Sequence, residues 1–193
     1  MKTDIVLAGV GGQGILSIAA AIGLAAVKNN LFLKQSEVHG MSQRGGAVQS
    51  HFRFSDKPIA SDLIPFGKAD IIISVEPMEA LRYLDMLQPN GWVVTNVSPF
   101  KNIPDYPDEN LIFKALSELK NKITINADQV AKDMGSARAS NMVMLGAASP
   151  FIDMPVEVIE QGIRDLFLRK GEDIVDQNLK AFRAGREFAQ KKN

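Results

Sequence analysis

Apolar residues along the chain occur either in short runs or in longer stretches with helical periodicity. Short apolar or alternating runs, bounded by glycine, proline or polar residues, are typical of strands. Such runs lie at residues 4–8, 31–34, 47–54, 71–75, 92–96 and 123–126. Stretches with helical character lie at 14–29, from Pro77, from Pro155 and from Asp173. Strands that alternate with helices predict an α/β fold.

Polar and proline-rich segments predict the connections between these elements. Turn-forming residues are concentrated at 36–46, 55–58, 89–91 and, with three prolines, 98–110. The strand at 47–54 follows the one at 31–34 through a loop without a helix, so we expect it to run antiparallel. The expected architecture is a three-layer α/β/α fold on a mixed, mostly parallel sheet, formed by one domain over residues 1–193.

Composition and charge argue against several classes of function. The chain has 193 residues, of which 46% are hydrophobic and 23% charged, as in ordinary globular domains. Lysine plus arginine balance aspartate plus glutamate at 22 each, so no electrostatic attraction to nucleic acid or to an anionic membrane follows. No stretch approaches the roughly 20 apolar residues of a membrane span, and the N-terminal run is too short for a signal peptide. We expect a soluble cytoplasmic protein.

The chain contains no cysteine. It therefore cannot hold an iron–sulfur cluster through thiolates, build a cysteine zinc site or use a cysteine nucleophile. The remaining residues show neither a metal-ligand spacing nor a Ser–His–Asp order. We therefore assign no metal ligand and no catalytic residue from the sequence.

A glycine-rich loop joins the first predicted strand to the first helix, with G-x-G-x-x-G spacing at Gly9, Gly11 and Gly14. In this context the glycines permit a tight turn, and the N–H groups and dipole of the helix start can hold a phosphate. In this Rossmann-like start an acidic residue about 20 positions further on binds ribose, and Glu37 is the candidate. Alternatively, the loop only packs the helix on the sheet. The amide of Gln13, next to Gly12, could instead bind a substrate carbonyl or a partner backbone.

A second polar loop follows the second predicted strand. It contains Glu37, His39, Gln43, Arg44, Gly45 and Gly46. Loops at the carboxyl ends of parallel strands lie near one another, so we expect both loops to line one crevice. Arg44 could bind a phosphate or carboxylate through two hydrogen bonds, or could form a surface salt bridge with Glu37.

A third candidate is Asn141, which precedes an apolar run of small residues in the last third of the chain. Its side chain could cap or pin the helix expected there, close to the crevice. A purely structural role and a functional role are both compatible with this position.

Three segments together resemble a known family. These are GVGGQG after the first strand, SEVHGMSQRGGAV after the second, and NMVMLGA in the last third. They resemble the gamma-type subunit or domain of the 2-oxoacid:ferredoxin oxidoreductases, over nearly the whole chain from Ile5 to Glu187. The form EVHGMSQRGG is similar to the small subunit of the indolepyruvate branch of that family.

The resemblance implies a function that this chain carries out within a complex. Such enzymes decarboxylate a 2-oxoacid oxidatively with coenzyme A and reduce ferredoxin. Thiamine diphosphate and the [4Fe-4S] clusters are then expected in a large alpha subunit, and this chain would hold no cofactor alone. Binding of the 2-oxoacid or coenzyme A, or contact with the partner, is expected at Gly11, Gly12, Gln13, Gly14, Glu37, His39, Gln43, Arg44, Gly45, Gly46 and Asn141.

Two other hypotheses stay open at this point. The glycine loop could serve a stand-alone NAD(P)-dependent dehydrogenase, which would bind NAD or NADP as a purified chain. The chain could also be a non-catalytic interaction module whose glycine loops only pack, in which case substitutions in both loops would be tolerated.

Overall fold

A computed structural model describes residues 1–40, 45–101 and 103–192. In that part of the chain, six strands form one sheet in the order β2-β3-β1-β4-β5-β6. The strands are β1 Lys2–Val10, β2 Phe32–His39, β3 Ala47–Ser55, β4 Ala69–Ser74, β5 Leu87–Asn96 and β6 Lys122–Ile125. β3 pairs antiparallel with both β1 and β2, whereas β1–β4, β4–β5 and β5–β6 are parallel. The mostly parallel sheet and the antiparallel β3 confirm the predictions.

Helices cover both faces of this sheet. They are α1 Ile15–Lys28, α2 Pro77–Arg82, α3 Glu109–Glu118, α4 Ala127–Asp133, α5 Ser140–Ala148, α6 Val156–Phe167 and α7 Glu172–Lys192. One apolar core joins the sheet to α1 and α4–α7, and a smaller core joins the other face to α2 and α3. This arrangement confirms the predicted α/β/α class. None of the described helices is long and apolar enough to cross a membrane.

β1 is buried on both faces because it lies inside the sheet. Ile5 and Leu7 point into the larger core, and Val6 between them points into the smaller one. Side chains alternate across a strand, so both faces require apolar residues. This explains why the strand reads as a continuous apolar run in the sequence.

Two glycines bring α5 and α7 into close contact. A Cβ on Gly146 would lie 1.8 Å from the carbonyl oxygen of Phe182, and a Cβ on Gly185 would lie 2.0 Å from that of Val143. Only glycine permits backbones to approach this closely. This contact fixes the position of α5, which begins at Ser140 and leads into the candidate site described below.

A buried ion pair fixes the loop between β3 and β4. Arg53 donates from Nε and Nη2 to the two carboxylate oxygens of Asp4, at 2.7 and 3.0 Å. Its Nη1 donates to the carbonyls of Ser61 and Leu63, at 2.9 and 2.8 Å. A buried guanidinium is stable only when its donors are satisfied in this way.

Two sequence predictions about loops were wrong. Residues 36–39, predicted as a loop, belong to β2, which pairs with β3 along its whole length. Because β2 is an edge strand, its polar residues can stay in solvent, and the apolar alternation that marks a strand is missing. Residues 89–91, predicted as a turn, lie inside β5 at an irregularity where the register with β4 shifts.

Candidate functional site

The glycine loop connects the end of β1 to α1 at the carboxyl edge of the parallel strands. Gly12 and Gly14 have φ of +99° and +82°, which L side chains adopt at a cost. Gln13 folds back on the loop: its backbone N–H donates to the carbonyl of Val10 at 3.2 Å, and its Oε1 accepts from the N–H of Val10 at 2.9 Å. The Gln13 side chain, considered from the sequence as a ligand for a substrate carbonyl or a partner backbone, thus has its amide oxygen bonded within the loop and holds the loop in shape.

The start of α1 has the character of an anion site. Gly14 is its N-cap, no side chain caps the helix, and the first turn contains no acidic residue. Backbone N–H groups and the helix dipole are thus left without a negative partner at this end. A phosphate or carboxylate placed here would be stabilised by both.

A cavity of about 350 Å³ opens beside the loop, where β1, β4 and β5 end. Its polar lining comprises Gly12, Gln13, Gly14, Asn96, Asp128, Arg138, Ser140 and Asn141. Arg138 is exposed and makes no ion pair or hydrogen bond with the described residues. An arginine at the rim with its donors free can bind a second anionic group.

Asn96 holds a second part of the cavity lining in place through hydrogen bonds to α4. It is buried, its Oδ1 accepts from the N–H of Ala127 at 3.0 Å, and its Nδ2 donates to Asp128 Oδ2 at 2.9 Å. The Asp128 carboxylate is thereby held in the first turn of α4. A carboxylate facing the cavity repels phosphate but accepts hydrogen bonds from hydroxyl or amino groups.

Asn141 joins α5 to the glycine loop. Its Nδ2 donates to the carbonyl of Gly14 at 3.3 Å, and its Oδ1 accepts from the N–H of Met142 at 3.0 Å. A Cβ on Gly14 would lie only 2.8 Å from Asn141 Nδ2. Asn141 therefore joins the first turn of α5 to the glycine loop, which is the pinning role considered from the sequence beside a functional one.

The two loops predicted to share a crevice do meet. Gly11 N donates to the carbonyl of Gly46 at 2.9 Å, and Gly45 N lies 3.5 Å from the carbonyl of Gly11. A second hollow of about 300 Å³ is lined by Gly11, Gly12, Gly14, Leu16, His39 and Val48. The glycine loop thus separates two hollows, with His39 on one side and Asn141 on the other. Gln43 and Arg44 lie outside the described residues.

The dinucleotide role considered for Glu37 does not fit the topology. β3 lies between β2 and β1, so Glu37 faces Ser50 of β3, and Ser50 in turn faces Leu7. The carboxylate accepts from Gln35 Nε2 at 3.2 Å and pairs with His39 Nε2. Glu37 therefore orients His39 and is separated from the glycine loop by a whole strand, which corrects the assignment as ribose ligand.

Three polar side chains of the larger cavity were missed in the sequence: Asn96, Asp128 and Arg138. Asn96 ends a predicted strand, and polar residues at carboxyl ends of parallel strands are a recognisable indication of a site. Asp128 and Arg138 had no such indication, since they lie in short helical segments. Among the described residues, no group of three or more His, Cys, Asp or Glu is placed to hold a metal ion.

Comparisons with known proteins agree on one family. A family model described as pyruvate ferredoxin/flavodoxin oxidoreductase matches residues 4–188. Indolepyruvate oxidoreductase subunit IorB of Archaeoglobus fulgidus is 39% identical over 196 residues, which covers 96% of this chain and 94% of that protein.

Two solved structures share the fold. The gamma subunit of a keto/oxoacid ferredoxin oxidoreductase from Geobacter sulfurreducens superposes with a TM-score of 0.69 at 25% identity, covering 98% of this chain and 99% of that one. The 2-oxoglutarate:ferredoxin oxidoreductase of Magnetococcus marinus, solved with 2-oxoglutarate, coenzyme A and succinyl-CoA bound, gives a TM-score of 0.76 at 24% identity. There the match covers 98% of this chain but 31% of the longer one.

Proposed function

Because the chain belongs to the pyruvate ferredoxin/flavodoxin oxidoreductase family, we propose that it is the small subunit of a 2-oxoacid:ferredoxin oxidoreductase of the indolepyruvate type. The reaction converts an arylpyruvate, coenzyme A and two oxidised ferredoxins into an aryl-acyl-CoA, carbon dioxide, a proton and two reduced ferredoxins. The identity of 39% to an indolepyruvate oxidoreductase subunit, over nearly the full length of both chains, supports the substrate class.

The absence of cysteine supports a division of labour within the proposed complex. Electron transfer from the substrate needs iron–sulfur clusters, and a chain without cysteine offers no thiolate to hold them. As the family resemblance implies, the clusters and thiamine diphosphate of the proposed complex are held by a large alpha subunit, which also passes electrons to ferredoxin. The small subunit, one domain over residues 1–193 working in the cytoplasm, contributes binding surface to that complex.

The observation that carries the binding role is the uncapped start of α1 beside the larger cavity. Coenzyme A brings a diphosphate and a further phosphate. These anions match the start of α1, which no side chain caps, and Arg138, which has no ion pair within residues 1–40, 45–101 and 103–192. Each charge-assisted hydrogen bond contributes roughly 1.5–3 kcal/mol. A coenzyme A complex of a protein with the same fold adds support.

Asp128 determines the orientation of coenzyme A in the proposed complex. Its carboxylate is held by Asn96 in the cavity lining, and its negative charge disfavours a phosphate beside it. A ribose hydroxyl or an adenine amino group can donate to it instead. In the proposed complex, phosphates therefore lie toward Gly12–Gly14 and the nucleoside lies toward Asp128.

The dehydrogenase hypothesis has less support. The dinucleotide motif places its acidic ribose ligand about 20 residues after the glycine loop, and Glu37, the acid at that spacing, is one strand away from the loop. The interaction-module hypothesis makes a different prediction from the proposed binding role. It predicts full activity in complexes whose glycine loops are altered. His39, Gln43 and Arg44 stay predicted contacts to coenzyme A, the 2-oxoacid or the large subunit.

Co-purification tests the proposal. The tagged chain, expressed with its neighbouring genes, should elute with a larger, brown, iron–sulfur-containing subunit. The eluate should reduce methyl viologen when indolepyruvate and coenzyme A are both present, and more slowly with pyruvate or 2-oxoglutarate. A chain that elutes alone and binds NAD or NADP would contradict the proposal.

A further inference from the structure

We propose that Lys170 and Arg138 bind the 3′-phosphate of coenzyme A in a further hollow beside the glycine loop, and that this contact makes the subunit select coenzyme A over dephospho-coenzyme A. The inference rests on the proposed function, because it states how the same ligand is recognised. It adds a specificity-determining residue, Lys170, which is not part of the larger cavity.

The hollow lies between the starts of α1 and α5 and the first half of α7, and it has a volume of about 650 Å³. Its lining contains two cations, Arg138 and Lys170, and no carboxylate from the described part of the chain. The larger cavity differs in this respect, because Asp128 belongs to its lining. A ligand group with a full negative charge is therefore favoured more strongly in this hollow than in the larger cavity.

Both cations are available to a ligand, since neither forms an ion pair with another residue that the structure describes. The Lys170 ammonium lies 5.5 Å from the centroid of the Phe167 ring, a contact that holds the ammonium without neutralising its charge. Glu172 and Asp173 follow Lys170 in the chain but lie outside the lining. Glu172 pairs with Arg164 at 3.4 Å. A phosphate monoester carries a charge of about −1.5 to −2 at neutral pH, which two cations can balance.

A buried hydrogen-bond acceptor in the same hollow points to a ligand with a hydroxyl group beside its phosphate. Asn178 is 7% exposed and belongs to the lining. Its Nδ2 donates to the carbonyl of Ile174 at 2.7 Å, whereas its Oδ1 accepts no hydrogen bond from the residues that the structure describes. Buried polar atoms in proteins normally have a partner. A sugar hydroxyl can supply that donor, so a sugar phosphate matches the hollow.

The hollow and the larger cavity meet at the start of α1, where Gly14, Arg138 and Asn141 line both of them. In coenzyme A the diphosphate and the 3′-phosphate are attached to the same ribose, so the two anionic groups are neighbours. A ligand whose diphosphate lies at Gly14 can therefore place its 3′-phosphate beside Arg138 and Lys170. Its adenine amino group stays available to Asp128 in the larger cavity.

Steady-state kinetics of the assembled complex, in buffer free of phosphate, test the assignment. For the unmodified complex, the KM for dephospho-coenzyme A should exceed the KM for coenzyme A about tenfold or more, the effect of losing a charge-assisted contact. Lys170→Met should raise the KM for coenzyme A about tenfold and leave the KM for dephospho-coenzyme A unchanged. Lys170→Arg keeps the charge and should keep most of the selectivity. Lys114→Met, at an exposed lysine of α3 on the other face of the sheet, is the matched control and should change neither KM.

Equal KM values for the two compounds in the unmodified complex would overturn the inference, and so would a Lys170→Met variant that keeps the selectivity of the parent. Stimulation of the coenzyme A reaction by added inorganic phosphate would also overturn it, because the hollow would then hold a separate anion. In each of these cases the reaction would still require coenzyme A, and the proposed function would stand. A complex that reduces viologen with indolepyruvate and does not need coenzyme A would contradict the proposed function itself, and the inference with it.

Discussion

The backbone conformation of the glycine loop leaves space for a ligand in the larger cavity. Gly12 combines a φ of +99° with open space where a side chain would begin. A substitution there adds a methyl group to the cavity and strains the backbone, whereas nothing in the protein core has to move.

Replacing Gly12 with alanine should therefore weaken coenzyme A binding as well as folding. We expect the KM for coenzyme A of the assembled enzyme to rise about tenfold, equivalent to about 1.4 kcal/mol. The free energy of unfolding should fall by about 1–2 kcal/mol because of the positive φ. Chemical denaturation and steady-state kinetics measure the two effects.

Gly67→Ala is the matched control for this experiment. Gly67 also has a positive φ, of +68°, with open space at the Cβ position, but it lies in the loop before β4. It should lose similar stability and leave the KM unchanged. Equal KM values for both variants would remove the glycine loop from the binding site.

A half-buried histidine makes stability depend on pH. Burial, and then the positive charge of Arg53, lower the pKa of His51 below its ordinary value of 6.5, and Asp62 opposes them. The unfolded chain takes up a proton on His51 near pH 6.5, whereas the folded chain resists protonation until lower pH. Stability is therefore lost as the pH falls below about 6.5.

His51→Asn should flatten this dependence. The Nδ1 of His51 accepts from the N–H of Ile64 at 2.9 Å, and an asparagine oxygen can take over that role without titrating. Urea unfolding between pH 5 and 8 should give a smaller slope for the variant below pH 6.5 and parallel curves above pH 7.5. Identical slopes throughout would show that His51 does not cause the effect.

At the residue scale, the sequence predicted the part of the site that depends on local pattern. The G-x-G-x-x-G spacing and the polar loop are contiguous motifs, and the structure joins them through Gly11 and Gly46. Asp128 and Arg138 reach the cavity only because β5, α4 and α5 converge there. Such a convergence depends on strand order, which one sequence does not contain.

At the scale of elements, close helix contact explains two glycines that the candidate site does not use, Gly146 and Gly185. Gly146→Ala places a Cβ 1.8 Å from a backbone oxygen of α7, so α5 and α7 must separate. Overpacking of this kind costs about 1–3 kcal/mol or more. We expect a lower melting temperature and, since α5 carries Asn141, a weaker hold on the glycine loop.

Gly23→Ala should stabilise the protein, in contrast to Gly146→Ala, and therefore serves as the control. A Cβ at Gly23 would meet only ordinary contacts, at 3.4 Å from Leu33 and 3.8 Å from Phe52. Alanine favours a helix over glycine by about 1 kcal/mol, so the variant should be more stable than the parent. A destabilised Gly23→Ala, or a neutral Gly146→Ala, would contradict the packing described for these helices.

The elements that were mispredicted are strands whose surroundings do not impose the usual alternation of apolar and polar residues. β2 lacks apolar alternation because an edge strand has a solvated side, and residues 89–91 look like a turn because a β-bulge uses the same residue types. Buried elements such as β1, β4 and α6 were predicted well, because burial imposes a strict period on their sequences.

At the scale of the whole molecule, the fold places one glycine loop between two hollows, and the proposed function assigns catalysis to another chain. Asn141, Asn96 and Gln13 hold the loop and cavity walls, and none of them has a chemical group suited to electron transfer. A subunit of this kind should be inactive alone and indispensable in its complex.

Reconstitution tests this central claim most directly. The purified large subunit should show little reduction of methyl viologen with indolepyruvate and coenzyme A, and addition of this chain should restore turnover until the large subunit is saturated. The chain alone should reduce neither viologen nor a nicotinamide. Full turnover by the large subunit without this chain, or turnover by this chain alone with NAD or NADP, would contradict the account.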